Sequence, residues 1–214
     1  MLVRISLALL TLSLAVSPAL AQAPAGGESP QAVVEAIQRA SAADDLGAAV
    51  RYIAPDARRE LVKEGVTGLL MALAFSDPDD AMPGSKTPPR GELDKKRKDY
   101  KAAVDQVSKL LSAHGITGVI GKPVLAEATQ KPIDAALQKA DTAALMRDML
   151  TALDTIGPLL GMTKSDKPKV PFQLGKVSGY KVTGDTATAK AEKETLDFVR
   201  IAGRWYLTPP AGRR

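Results

Sequence analysis

The hydrophobic positions of the chain change period once. From Ser29 to Gly161 the apolar residues recur at helical spacing; beyond Val177 they alternate with polar ones. Ser29-Pro30 reads as a helix start, followed by Val33, Val34, Ile37 and Ala40 on one face. Asp44-Asp45 restarts a short helix through Ala48, Val50 and Ile53, ended by Pro55. Pro55-Asp56 opens another, with Leu61, Val62, Val66, Leu69, Leu70 and Leu73 as its stripe. Within it "GLLMALAF" is apolar on every side, which predicts a helix buried by its neighbours. Four prolines and two glycines between Ser76 and Gly91 predict a mobile loop. Glu92–His114 is the clearest helix, with Leu93, Tyr100, Val104, Val107 and Leu111 in line and Gly115 at the left-handed cap position. The connection "GITGVIGKP" leads to a further helix over Pro132–Gly161, kinked or ended at Gly157-Pro158.

Four short strands complete the chain: Val177–Val182, Thr186–Glu192, Thr195–Ile201 and Arg204–Thr208. Turns at Gly184-Asp185 and Ala202-Gly203 make the later strands sequential antiparallel neighbours. The Thr/Ala alternation of 186–191 predicts one face of small residues toward the core. In the third strand Leu196 and Phe198 share one face and Val199 and Ile201 the other, so it is either bulged or buried on both sides. The fold class is α+β: a mostly helical N-terminal and middle part packed on a C-terminal antiparallel sheet of about four strands. The expected organisation is a leader at 22–28, one domain over 29–210 with a helical insertion at about 56–165, and a basic tail at 211–214.

The first residues carry an address rather than a fold. Arg4 precedes the apolar run "ISLALLTLSLAV", and "SPALAQA" offers small residues for cleavage after Ala21 or Ala23. The run is short for roughly 30 Å of hydrocarbon; a retained signal anchor is the rival reading. No Cys follows it, so lipid attachment of the bacterial lipoprotein kind is excluded, and the Ala-rich style points to a bacterial periplasm. The chain has no cysteine at all. Disulfides, Cys-zinc sites and thiol catalysis are therefore excluded, and the core of Leu, Val, Ile, Ala and Met must hold the exported protein alone.

Losing Arg4 with the leader brings the net charge of +5 to +4. So mild a basic excess, without interleaved aromatics, speaks against nucleic acid as partner. "DKKRK" at Asp94–Lys98 opens the long helix: Lys95, Lys96, Arg97 and Lys98 are either a solvated face or an anion-binding patch.

Two segments resemble a known family. "SPQAVVEAIQRASAADDLGAAVRYIAPDAR" and "VTGDTATAKAEKE…LDFVRIAGRWYL" look like the two ends of an NTF2-like, cystatin-like α+β domain. Gly184, Asp185, Ala187 and Ala189 match its first strand pattern, and Phe198, Gly203, Trp205 and Leu207 its second. The resemblance covers about a third of the chain. It implies an N-terminal helix across a curved sheet, with Tyr180, Phe198 and Trp205 as candidates for lining an internal pocket. Residues 56–165 depart from the pattern, being helical where the family would place strands.

Catalytic signals are sparse. His114 is the only histidine, which excludes a multi-histidine metal site. At a helix C-terminus its charge suits the dipole, and sequence spacing offers it no carboxylate partner. "SDPDDAMPG" lacks the register of a calcium loop, and "GITGVIGKP" fails the phosphate-loop pattern twice. No serine sits in a G-x-S-x-G elbow. No catalytic residue, metal ligand or cofactor site is assigned. The expectation is an exported, non-catalytic accessory protein of the cell envelope that binds a small apolar ligand, an envelope component or another exported protein, and does not span the membrane once cleaved. The alternative is an NTF2-like pocket enzyme (isomerase, dehydratase or hydrolase) using Asp185, Tyr180 and Tyr52.

Overall fold

The first helix starts where the sequence places it. Ser29 caps α1 (Pro30–Ala42) by accepting the Ala32 N–H at 3.1 Å, and Pro30 sits in the first turn. Asp45 caps α2 (Leu46–Val50) through the Ala48 N–H at 2.8 Å. The remaining helices are α3 (Pro55–Phe75), α4 (Arg90–Ala113), α5 (Glu127–Leu137) and α6 (Thr142–Leu159). The computed structural model describes residues 26–79, 89–162, 174–192 and 194–208. The segment 1–21 expected to be a signal peptide, residues 80–88 of the proline-rich loop and the tail 211–214 lie outside the described residues.

Four strands follow: β1 (Ser178–Thr183), β2 (Thr186–Lys190), β3 (Thr195–Ile201) and β4 (Arg204–Thr208). They form one antiparallel sheet in the order β1-β2-β3-β4, so the fold is α+β as expected. Ala187 and Ala189 of β2 point inward and its threonines outward. The irregularity expected in β3 lies in β1 instead, between Ser178 and Lys181. β3 pairs in unbroken register, with Val199 half-buried and Ile201 exposed. The strand buried on both faces is β4, whose Trp205, Tyr206 and Leu207 are all covered.

The outer edge of β4 is covered as well. Gly27 exchanges two backbone hydrogen bonds with Trp205, at 2.9 and 2.8 Å, and Leu207 bonds to Tyr52 and Ala54 at 2.8 and 2.9 Å. Residues 26–27 thus run as a strap along the open edge of the sheet, which protects it from strand addition. Gly26 and Gly27, within the expected leader at 22–28, thus lie against β4.

Two hydrophobic clusters share the interior. One sets Val33, Val34 and Ile37 of α1 against Ala187, Ala189, Leu196, Phe198, Trp205 and Leu207 of the sheet. The other is built among α3, α4, α5 and α6 around Val62, Val66, Val107, Leu111, Ile133 and Leu145. Short α2 joins them, giving Ala49 to the first and Leu46 and Val50 to the second. The helical stretch therefore buries its stripes chiefly against itself.

Three helical expectations change. "GLLMALAF" is not enclosed: Leu69, Leu70 and Leu73 face the cluster, but Gly68 and Ala74 are exposed and Phe75 is 83% exposed. The neighbours α4, α5 and α6 cover only one side of α3. The single helix expected over Pro132–Gly161 is two, because Asp141 starts α6 anew, its carboxylate accepting the Ala143 and Ala144 N–H groups at 3.0 and 3.1 Å. α5 also begins upstream of Pro132, at Glu127. The connection after α4 is pinned by Ile116 and Val119, both buried in the helical cluster.

Candidate functional site

α4 ends in a Schellman arrangement that fixes its last side chain. Gly115 takes φ +79°, its N–H bonds to Ser112 O at 3.0 Å, and the Ile116 N–H reaches back to Leu111 O at 2.9 Å. Leu111 and Ile116 meet in the core and complete the motif. His114, the last residue before this reversal, is thereby held between α4 and α6, its side chain 13% exposed.

Its partner is Asp148. Nε2 of His114 lies 3.0 Å from Oδ2 of Asp148, whose Oδ1 accepts the Arg147 Nε–H at 3.1 Å. Sequence spacing gave no sign of this pair, since 34 residues separate its members. Packing of α4 on α6 creates it. The pairing corrects the reading of His114 as a residue without a carboxylate, and it holds the ring by its Nε2 edge against Asp148.

His114 forms part of the wall of a cleft of about 550 Å³ between the end of α4, the second half of α5 and the link into α6. Ala113, Pro132, Ala135, Ala136 and Ala140 give it a smooth apolar lining, and Lys139 and Asp141 stand at the link. One oxygen of Asp141 is engaged in capping α6. The field of Asp141 also reaches Arg58. Burial pushes the Arg58 guanidinium below its ordinary pKa, against the opposing pull of Asp141 and Tyr206. Lys139 is exposed and, among the described residues, has no ion-pair partner. The lining holds no hydroxyl or thiol; its polar side chains are His114, Lys139 and Asp141.

The aromatic residues singled out in the sequence meet in the other cluster. Phe198 is 2% and Trp205 5% exposed, packed under α1, and the Tyr180 ring lies 6.4 Å from that of Phe198 at a 42° tilt. Burial raises the Tyr180 phenol above its ordinary pKa, with the nearby Glu35 carboxylate adding to the effect. Tyr52 packs on the same cluster, whereas Asp185 is exposed in the β1–β2 turn.

The basic run on α4 is largely paired. Lys95 meets Asp99 at 2.7 Å, Lys96 meets Glu92 at 3.0 Å, and Arg97 holds Asp79 through two nitrogens at 2.6 and 3.0 Å. These hydrogen-bonded carboxylates hold Lys95 and Arg97 above their ordinary pKa values. Lys98 is exposed without a partner among the described residues. Asp80 of the aspartate-rich loop lies outside the described residues, and Asp77 accepts the Asp79 N–H at 2.9 Å. Among the described residues no group of three potential ligands is placed to hold a metal, and no helix is long and apolar enough to cross a membrane. Comparison with protein-family models, curated proteins and solved structures gives no match for the chain.

Proposed function

We propose that this chain is an exported, non-catalytic accessory protein of the bacterial envelope that binds a small ligand. The observation that carries the reading is the filled interior beneath α1: Phe198 and Trp205 are packed core where an NTF2-like enzyme would need an open cone. The resemblance to that superfamily enters here as a likeness of architecture, a helix laid over an antiparallel meander, and fold alone assigns no chemistry. Binding belongs instead to the helical side, where the cleft beside His114 offers apolar walls and Lys139, a cation without an ion-pair partner among the described residues. Export rests on the N-terminal segment with its Ala-x-Ala cleavage pattern.

Native mass spectrometry of the protein purified from its own host tests this. The expected result is a mature chain starting at Gln22 or Pro24 that retains a bound species. Intact Met1 on the purified chain would remove the export reading. Turnover of a small-molecule substrate, lost on Tyr180→Phe or Asp185→Asn, would replace the binding role with the pocket-enzyme alternative.

A further inference from the structure

We infer that the cleft between α4, α5 and α6 is a seat for a small organic anion with a compact apolar body. The inference rests on the binding role proposed above and names the chemistry of its ligand. Three features meet there: a concavity of about 550 Å³, a clamped imidazole, and a lysine without an ion-pair partner among the described residues.

Charge decides the class. The carboxylate in the lining and the one beside His114 are engaged: Asp141 accepts two N–H groups at the positive end of α6, and Asp148 is shared by His114 and Arg147. Among the described residues Lys139 is the charge at this cleft that holds no ion-pair partner. A cationic ligand would find its counter-charges occupied, whereas an anion gains a new ion pair. The apolar part follows from the lining: alanine methyls and the Pro132 ring wall the cleft, with His114, Lys139 and Asp141 as its polar groups.

The clamp keeps the seat open in shape. Asp148 fixes the His114 ring against rotation, so the wall it makes stands ready before a ligand arrives, which lowers the ordering cost of binding. His114 is thus a positioning residue whose own placement depends on Asp148.

Titration of the mature protein with butyrate, butyl phosphate, butylamine and butanol tests the inference, read by NMR shifts of Ala135, Ala136 and the His114 ring. Saturable shifts at these signals with butyrate or butyl phosphate are expected, and the stronger of the two identifies the head group. Lys139→Gln is expected to weaken the anion about fivefold, the size of one half-exposed ion pair, and Lys139→Arg to restore it. Lys139 is exposed, so neither variant should disturb folding. Equal or stronger shifts with butylamine or butanol would overturn the anion class while leaving the binding role standing. Unmoved cleft signals with all four probes would overturn the cleft as the seat, and a bound species found by native mass spectrometry would then have to lie elsewhere.

Discussion

Gly27 and Trp205 hold each other by both backbone hydrogen bonds, at 2.9 and 2.8 Å, and so close the outer edge of the sheet. No side chain fits at the strap. A Cβ on Gly27 would stand 2.8 Å from the Val33 side chain and 2.9 Å from its backbone nitrogen, and one on Gly26 would stand 2.7 Å from the Tyr206 ring at φ +83°. Gly27→Ala is expected to cost about 1–3 kcal/mol in urea unfolding and to speed hydrogen exchange at the Trp205 amide. Unchanged stability together with unchanged exchange would mean that the strap does not hold β4.

The β3–β4 turn carries a residue in the wrong conformation for its type. Ala202 adopts φ +49° ahead of Gly203 at φ +80°, the pair of positive angles that a two-residue type I′ hairpin demands. Asn tolerates that region better than Ala, and Asn-Gly is the preferred pair. Ala202→Asn should raise stability by roughly 0.5–1 kcal/mol, seen as a higher melting temperature. A lower one would count against the turn assignment.

Where α2 crosses α6, the backbones meet over Gly47. A Cβ there would lie 2.6 Å from Arg147 Cβ and 3.3 Å from its Cα, atoms that cannot swing aside as a side-chain tip can. Because α2 bridges the two clusters, Gly47→Ala should cost about 1–3 kcal/mol and loosen both. Chemical denaturation followed by Trp205 fluorescence on the sheet side and by circular dichroism for the helices checks this. A full-strength α6 contact in the variant, with unaltered midpoint, would contradict it.

Tyr180 supplies a pH prediction. Its phenol is raised, by burial first and by Glu35 second, so the folded state keeps the proton that the unfolded chain loses near pH 10. Its contribution is fully present below about pH 10 and is lost as pH climbs through the raised folded value. Alkaline titration of tyrosinate absorbance should show one late-ionising group that disappears in Tyr180→Phe. The same variant should flatten the loss of stability at high pH.

Much of this architecture was legible in the sequence because it is encoded locally. β3 and β4 fall on the expected residues, since period-two alternation and Gly-containing turns fix strands over short range. Ser29-Pro30 and Gly115 act as cap signals for the same reason. Asp141 was equally visible as a cap and was missed, because the apolar spacing across 132–161 runs on through the break. The one-sided burial of "GLLMALAF" and the shift of double burial from β3 to β4 depend on which elements arrive as neighbours, and local pattern carries no such information.

By itself the sequence determined the α+β class, the order of helices before a four-strand meander, and the turns that set the sheet's register, all properties of residues near one another in the chain. Only the tertiary structure decided that Gly27 straps Trp205, that His114 finds Asp148, and that Lys139 overlooks a cleft. These contacts join residues distant along the chain, and they exist because close packing of helices and sheet around the two hydrophobic clusters fixes which surfaces meet.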